Sequence, residues 1–558
     1  MLRPKLLTLI KNRPEEFSSR RVLKDLSAGL VVACIALPLS IALAIASGVT
    51  PEKGLITAIV AGFIISLFGG SRVQIGGPTG AFVVIVYGII QQYGLAGLLT
   101  ATIMAGIFLI FMGVCKFGSF IKFIPYPVTT GFTSGIAVVL FSTQINDFLG
   151  LGLTDIPSGF FAKWGLYFHS LGQINWAALA VGLLTLAIIL FWPKKWKAFP
   201  GSLAALLITA VLVGVTGMNV PTITSTFGAV DSTLVMPHLP GAVSWDTIQN
   251  LMRPALTIAL LAGIESLLSA VVADGMIGKR HRSNMELVAT GIANVASGLF
   301  GGLPATGAIA RTAANIENGG RTPVAGMAHA VFLFLMMLCL MRWIGRIPMT
   351  SLAAILFLVS YRMSDWRSFK ALFKAPLGDV LILLATFTLT VVFDLVIAIE
   401  FGLVLAAVLF MKRMADVYQI TNTDDDIMDE VRRKDDIDTK VIAKHVSVYE
   451  INGPFFFGAA TQFVETLEHH KNCKVLILRM RSVPAIDATG YHALERIYNR
   501  CKEDGVQLIL SHVQKHVRKT LEQYGFIKLL GEDHLCRNID HSLMRAESIV
   551  KDRHSIAE

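Results

Sequence analysis

Charge is what this sequence lacks most. Only 16% of its 558 residues are Asp, Glu, Lys or Arg, whereas soluble globular proteins carry about 25%. Hydrophobic residues make up 54%, and the mean hydropathy is +0.62. Apolar runs long enough to cross a bilayer recur between positions 26 and 411. This composition excludes an ordinary soluble protein and predicts a polytopic α-helical membrane protein.

Catalytic and metal-binding patterns are missing too. The six cysteines show no spacing typical of a metal or redox site, and the histidines beyond position 440 lack ligand spacing. No nucleophile–base pair is evident, so we expect no enzyme, no catalytic residue and no cofactor other than a bound Na⁺. The net charge of +10 does not indicate a nucleic-acid partner, because the basic residues cluster at the ends of apolar segments.

About fourteen apolar segments can be counted. They span roughly 26–48, 54–70, 80–92, 96–115, 126–148, 175–192, 199–216, 254–275, 285–301, 307–317, 323–344, 348–361, 378–394 and 396–412. Two halves of seven fit the inverted repeat of secondary transporters. Connections after even-numbered segments are rich in Lys and Arg, which places both termini in the cytoplasm. No cleavable signal peptide is visible in residues 1–25, which form a basic N-terminal segment.

Two glycine- and proline-broken stretches echo each other in the two halves. Residues 76–82 read GGPTGAF, and residues 302–311 read GLPATGAIAR. Each precedes a short helix-compatible run, so each predicts a half-helix whose N-terminus offers free N–H groups and a positive dipole end at mid-bilayer. The N–H groups of Thr79, Gly80 and Ala81 are expected to face those of Gly307, Ala308 and Ile309 across a small anion. Helix kinks for packing are the alternative.

Charged residues inside apolar runs are candidates for ion coupling. Glu265 lies in such a run, with Ser269 one helical turn away. With carbonyl groups at Gly307 they could hold Na⁺. Glu265 alone could instead take up H⁺, because removal from water favours a neutral carboxyl group, or it could form a structural hydrogen bond. Arg311 could add positive field to the pocket, pair with Glu265, or bind helix carbonyls.

Beyond position 414 the composition changes to that of a soluble domain. Residues 415–440 are highly charged and read as a linker, 441–550 as a small α/β domain, and 551–558 as a tail, after a transmembrane domain over 26–414. Strands are predicted at 446–451, 475–480 and 506–510, and helices at 462–468, 488–501 and 513–524. Their alternation predicts a sheet covered by helices.

Four stretches resemble the SulP sulfate-permease family of anion transporters. They are ALPLSIALA at 36–44, GGPTGA at 76–81, IESLLSAVVADGM at 264–276, and GLPATGAIAR with TAAN at 302–315. The sequence IDATG at 486–490 resembles the strand-to-helix turn of STAS domains. Many family members carry Gln at the position of Leu39, so this chain lacks one polar contact there.

The resemblance implies a core domain of helices 1–4 and 8–11, a gate domain of helices 5–7 and 12–14, elevator-like alternating access, homodimers and a cytoplasmic STAS domain. Apart from the resemblance, Phe82 ends the first expected anion-binding stretch, and Pro38 is expected to open the first helix beside the two half-helices. The resemblance also makes Asp487 and Thr489 candidate regulatory residues, since Thr489 occupies the position of a phosphorylatable hydroxyl, although a hydroxyl there could simply cap the helix.

The sequence therefore predicts a secondary transporter of a small anion in a bacterial inner (plasma) membrane. Bicarbonate, sulfate and a C4-dicarboxylate are all candidate substrates, and Na⁺ or H⁺ is the expected coupling ion. Membrane lipid, a second copy of the chain and an unknown cytosolic partner of the STAS-like domain are the other expected partners. The alternatives are an uncoupled exchanger or channel, and a membrane sensor or scaffold centred on the STAS-like domain.

Overall fold

The structure is a computed structural model that describes residues 3–119, 125–153, 156–157, 159–193, 200–228, 236–241, 244–393, 395–416, 419–422, 445–453, 455 and 473–555. The chain divides into two compact units, Met1–Val404 and Leu405–Glu558. The predicted domain bounds stay predictions. The predicted helix at 462–468 and most of the predicted linker lie outside the described residues.

The first unit is helical. Its helices are α1 (Lys5–Asn12), α2 (Ser19–Ala46), α3 (Pro51–Phe68), α4 (Val83–Val114), α5 (Tyr126–Thr143), α6 (Ile145–Leu149), α7 (Phe160–His169), α8 (Trp176–Phe191), α9 (Gly201–Thr216), α10 (Ile223–Phe227), α11 (Trp245–Ile277), α12 (Ser283–Leu299), α13 (Ile309–Glu317), α14 (Pro323–Ile344), α15 (Met349–Met363), α16 (Trp366–Leu372) and α17 (Leu377–Val392). Helix α18 (Leu395–Asp416) begins in this unit and ends in the second. Two short strands, β1 (Gly76–Gly77) and β2 (Thr306–Gly307), interrupt this series.

Every predicted apolar segment corresponds to a helix. Six helices within the described residues are long and apolar enough to cross a membrane, and three further apolar helices are 10–17 residues long. The third and fourth predicted segments are both in α4, which is kinked at Gly94, where φ is +64° and glycine is favoured. Helix α11 begins at Trp245, earlier than the predicted 254, because the chain stays helical through Pro254.

The membrane helices pack in two groups. Helix α4 packs on α11 and α12, while α14 packs on α2 and α3, and α3 also contacts α12. Separately, α5 packs on α15 and α17, and α8 packs on α9 and α15. These groups have the membership that the family resemblance implies for a core domain and a gate domain.

The second unit contains a five-stranded sheet of order β3-β4-β5-β6-β7. Its strands are β3 (Gln419–Asn422), β4 (Val446–Asn452), β5 (Val475–Ser482), β6 (Gln507–Ser511) and β7 (Leu535–Cys536). The pairs β4–β5, β5–β6 and β6–β7 are parallel, and β3 pairs antiparallel with β4. The helices are α19 (Ala488–Glu503), α20 (Lys515–Gln523), α21 (Phe526–Leu530) and α22 (Ile539–Ser555).

Two bounds in this unit differ from the prediction. Residues 419–422, placed in a charged linker, form an edge strand, because their backbone continues the hydrogen bonding of β4. Helix α22 extends beyond 550 into the predicted tail, since Ile539, Ala546 and Val550 pack on the sheet. An amphipathic face that covers a sheet holds a helix together despite its charged sequence.

Candidate functional site

The two broken stretches meet in the fold. Gly76 pairs with Gly307 and Gly77 with Thr306, so β1 and β2 form an antiparallel two-stranded sheet. The Ala308 N–H donates to the Ile75 carbonyl at 2.8 Å. The pairing joins chain positions in equivalent places of the two predicted halves, and its antiparallel sense matches an inverted relationship between them.

A helix starts directly after each strand. Gly80–Phe82 forms one turn of 3₁₀ helix, with Thr79 extended before it, and continues into α4. Helix α13 begins at Ile309. The backbone N–H groups of a helix's first turn lack intrahelical partners, so both starts can donate to an anion.

One expected donor is not available. Because the Ala308 N–H already donates to Ile75, the prediction that it faces the anion is wrong. Gly307 serves instead as a point of close approach, since a Cβ atom there would overlap the side-chain amide of Gln74. Gly80, Ala81 and Phe82 are buried, and Ile309 is 44% exposed within the unit.

Pro38 lies inside α2 and does not interrupt it. The helix runs unbroken from Ser19 to Ala46, so the expectation that Pro38 opens the first helix is wrong. Its neighbour Ser40 is fully buried, and the Ser40 hydroxyl accepts a bond from Arg311 Nη2 at 3.3 Å. Helix α2 thus reaches the pocket through a hydroxyl that the sequence did not single out.

Glu265 bonds to the first broken stretch. The Thr79 hydroxyl donates to Glu265 Oε2 at 2.8 Å, and the carboxylate is half-buried. Ser269 is one turn further along α11, but its hydroxyl donates to Thr312 Oγ1 at 3.3 Å. The structure therefore places Glu265 at β1 and α4, and Ser269 at α13, while Gly307 packs against Gln74.

Arg311 is a buried cation without an acidic partner among the described residues. Its side chain is 1% exposed, and Nη2 donates to the Pro78 carbonyl at 3.2 Å as well as to Ser40. Nε and Nη1 have no hydrogen-bond partner in the described part of the chain. The alternative pairing with Glu265 is not formed. A buried guanidinium with unused donors beside two helix starts concentrates positive charge at one place, an arrangement that can attract an anion.

Several buried polar residues that the sequence pattern did not single out support this site. Gln74 donates to the Ser266 hydroxyl at 2.8 Å, and Thr306 donates to the Ala262 carbonyl at 2.8 Å. Asn294 bonds the backbone of Ala305 in both directions. Amides and hydroxyls in apolar helices satisfy the backbone groups that the breaks leave open, which fixes the strands in place.

Asp274 and the two candidate regulatory residues have ordinary partners or none. Asp274, near the end of α11, accepts from the His281 backbone N–H at 2.8 Å and from His281 Nδ1 at 2.7 Å. In the second unit, Asp487 caps α19 by accepting from the Gly490 N–H at 2.7 Å. Thr489 is exposed and is not the cap. Its hydroxyl is therefore open to modification.

Family profiles match both units. The profile of the sulfate permease family matches residues 22–386, and that of the STAS domain matches residues 436–542. These matches assign membrane transport to the first unit and a STAS domain to the second.

Related proteins cover nearly the whole chain. A putative sulfate transporter, YvdB of Bacillus subtilis (strain 168), is 42% identical over 93% of this chain and 96% of its own. The bicarbonate transporter BicA of Synechocystis sp. (strain ATCC 27184 / PCC 6803 / Kazusa) is 31% identical over 92% of each. The solved transmembrane domain of a cyanobacterial BicA superposes with a TM-score of 0.62 at 33% identity, covering 70% of this chain and 98% of that one.

Proposed function

We propose a specific activity for this chain, which belongs to the sulfate permease family of membrane transporters: cation-coupled uptake of a small oxyanion. The anion binds between the start of α4 at residues 79–82 and the start of α13 at Ile309. Arg311 supplies positive charge, and Glu265 binds the coupling ion, Na⁺ or H⁺. The pocket is shaped by Pro38, Gly80, Ala81 and Gly307. The backbone of Ala308 connects β2 to the start of α13.

The hydrogen bond between Thr79 and Glu265 carries this proposal. At 2.8 Å, this bond joins Glu265, in the interior of α11, to Thr79, the first residue of the anion-binding turn. A cation or proton that arrives at Glu265 changes the charge that the anion meets at Thr79. Anion and cation binding are then favourably coupled, because each neutralises charge that opposes the other in a medium of low dielectric constant.

The helix packing supports movement of the site as one body. The residues of the pocket all lie on α2, α4, α11 and α13 or on the two strands, which belong to the core group. The gate group contacts this site through Leu140 of α5 and Met363 of α15, which pack against Gly80. We therefore propose elevator-like access, in which the core group carries the bound anion past the gate group.

Backbone N–H groups and one guanidinium recognise charge and size more than they recognise one particular oxyanion. Bicarbonate and sulfate are both proposed candidates, since relatives that cover the chain are called a bicarbonate transporter and a putative sulfate transporter. A C4-dicarboxylate is a third candidate. We favour an inorganic oxyanion, because the proposed donors converge on one small site beside Thr79.

Further aspects are proposed with the same activity. The chain acts as a homodimer in a bacterial plasma membrane, with both termini in the cytoplasm and the STAS domain bound to a cytosolic partner. A second candidate activity is uncoupled exchange or channel conduction, favoured by one observation: the carboxylate of Glu265 already has a protein donor in Thr79 and needs no ion for that bond.

Uptake into proteoliposomes tests the proposal. Radiolabelled bicarbonate, sulfate and succinate are offered to wild type and Glu265→Gln, with Na⁺ and pH gradients imposed separately. Accumulation driven by one gradient and abolished in the variant is the expected result, and it identifies both substrate and ion. Transport that ignores both gradients and survives Glu265→Gln would overturn the coupling role and favour an exchanger or channel.

A further inference from the structure

A second buried carboxylate lies in the membrane unit, away from Glu265. Glu286, near the start of α12, is 0% exposed. Its Oε2 accepts from the N–H groups of Gly70 and Ser71 at 2.7 and 2.8 Å. Its Oε1 has no hydrogen-bond partner among the described residues. Two N–H donors are thus directed at one carboxyl oxygen, and the other oxygen is left unused.

Other oxygen atoms gather beside this carboxylate. The Ser266 hydroxyl of α11 bonds Thr290 Oγ1 of α12 at 3.0 Å. Gln74 Nε2 donates to the same hydroxyl at 2.8 Å, while Gln74 Oε1 has no partner within the described residues. Thr290 is one turn after Glu286 on the same face of α12. Gln74 is 4% exposed, and Ser266 and Thr290 are fully buried.

The basic side chains nearest in sequence are engaged elsewhere. Arg72 pairs with Glu16 at 2.9 Å, and Arg282 donates to the Arg3 carbonyl and the Thr8 hydroxyl. No ion pair of Glu286 with a basic side chain is formed in the described part of the chain. A buried carboxyl group without a basic partner is neutralised either by a proton or by a bound cation.

We propose that Glu286, Ser266, Thr290 and Gln74 form a buried Na⁺ site behind the anion pocket. The donor set is one carboxylate, two hydroxyls and one amide, which is oxygen only and carries a single negative charge. Oxygen donors exclude metals that prefer sulfur or nitrogen, and one carboxylate suits a monovalent ion better than Ca²⁺, which usually takes several.

The site is connected to transport through Gln74. The Gln74 amide contacts Gly307 of β2, and the same side chain bonds Ser266. An ion that fixes Ser266 and Gln74 therefore fixes the position of β2 and the start of α13. The inference goes beyond the proposed function, because it holds whether Glu265 binds Na⁺, H⁺ or neither.

The test separates the two carboxylates. Full-length protein in detergent is heated in NaCl or in choline chloride at equal ionic strength, as wild type, Glu265→Gln, and Glu265→Gln with Glu286→Gln. We expect Na⁺ to raise the melting temperature of Glu265→Gln, with binding of ²²Na⁺, and expect both effects to vanish in the double variant. The side-chain oxygen of glutamine at position 286 can still accept from the N–H groups of Gly70 and Ser71. The hydrogen bonds between α12 and residues 70–71 are therefore kept.

A second pair of variants guards against a folding failure. Thr290→Val removes one oxygen with little change of shape, and should raise the Na⁺ concentration for half-maximal stabilisation by about tenfold. Thr102→Val is the matched control, since the buried Thr102 hydroxyl donates only to the Leu98 carbonyl of its own helix. No Na⁺ effect in Glu265→Gln, a full effect in the double variant, or equal affinities for the two threonine variants would each overturn the site.

Discussion

Replacing Arg311 with glutamine should separate anion binding from stability. The guanidinium bonds the Pro78 carbonyl, one residue before the proposed anion-binding turn, so a bound anion lies within about 6 Å of its charge. At an effective dielectric constant near 20, that attraction is about 3 kcal/mol, or roughly 100-fold in affinity. Arg311→Lys keeps the charge and should lose no more than about tenfold, through its lost second donor.

The same change should leave the fold intact. Arg311 is 1% exposed, and two of its nitrogens have no partner in the described residues, so wild type carries the cost of burying an unpaired cation. Arg311→Gln removes that cost and should melt at or above the wild-type temperature without substrate. Equilibrium binding of radiolabelled sulfate and bicarbonate, with melting curves on the same samples, checks both expectations. Unchanged affinity, or a variant that unfolds several degrees earlier, would refute the reasoning.

Three further outcomes are expected. Thr79→Val leaves Glu265 Oε2 without its donor, which should shift the apparent affinity for the coupling ion about tenfold in gradient-driven uptake, with Thr79→Ser as the control. Asp487→Ala should lower the stability of helix α19 by about 1 kcal/mol in hydrogen exchange, whereas Thr489→Ala should not, because only Asp487 caps the helix. Burial raises the pKa of the Cys501 thiol to about 12, so this thiol stays protonated at pH 8 and should react with maleimide about 1,000-fold more slowly than a free cysteine, as measured by peptide mass spectrometry.

The helices were predictable because the signals for a membrane segment lie within a short stretch of sequence. Twenty apolar residues, a basic connection, or a proline within a glycine pair can be recognised without knowing what lies beside them. The two breaks at 76–82 and 302–311 were matched by their pattern, and the strands β1 and β2 meet there. The bounds were harder to predict, since a helix such as α2 begins at Ser19, within the charged residues that precede the apolar run.

The partners of each polar side chain were not predictable, because they come from distant parts of the chain. Arg311 contacts Ser40, and Gln74 contacts Ser266, across roughly 190 to 270 positions. Glu286 could have been found, since it lies in the predicted segment 285–301 and the rule that selected Glu265 applies equally to it. Nothing local distinguishes the Ala308 N–H from its neighbours, so only the strand pairing reveals that it is used.

The pairing of β1 with β2 also determines when the newly synthesised chain can complete the proposed site. Gly76 leaves the ribosome some 230 residues before Gly307, its partner in the small sheet. At about 5–20 residues per second, the first broken stretch is in the bilayer for about ten seconds or more before its backbone groups can pair with those of β2. A chain that stops before the tenth segment therefore holds most of its helices and no pocket. Separately expressed halves, cut in the connection before α11, should regain anion binding only when they are inserted together.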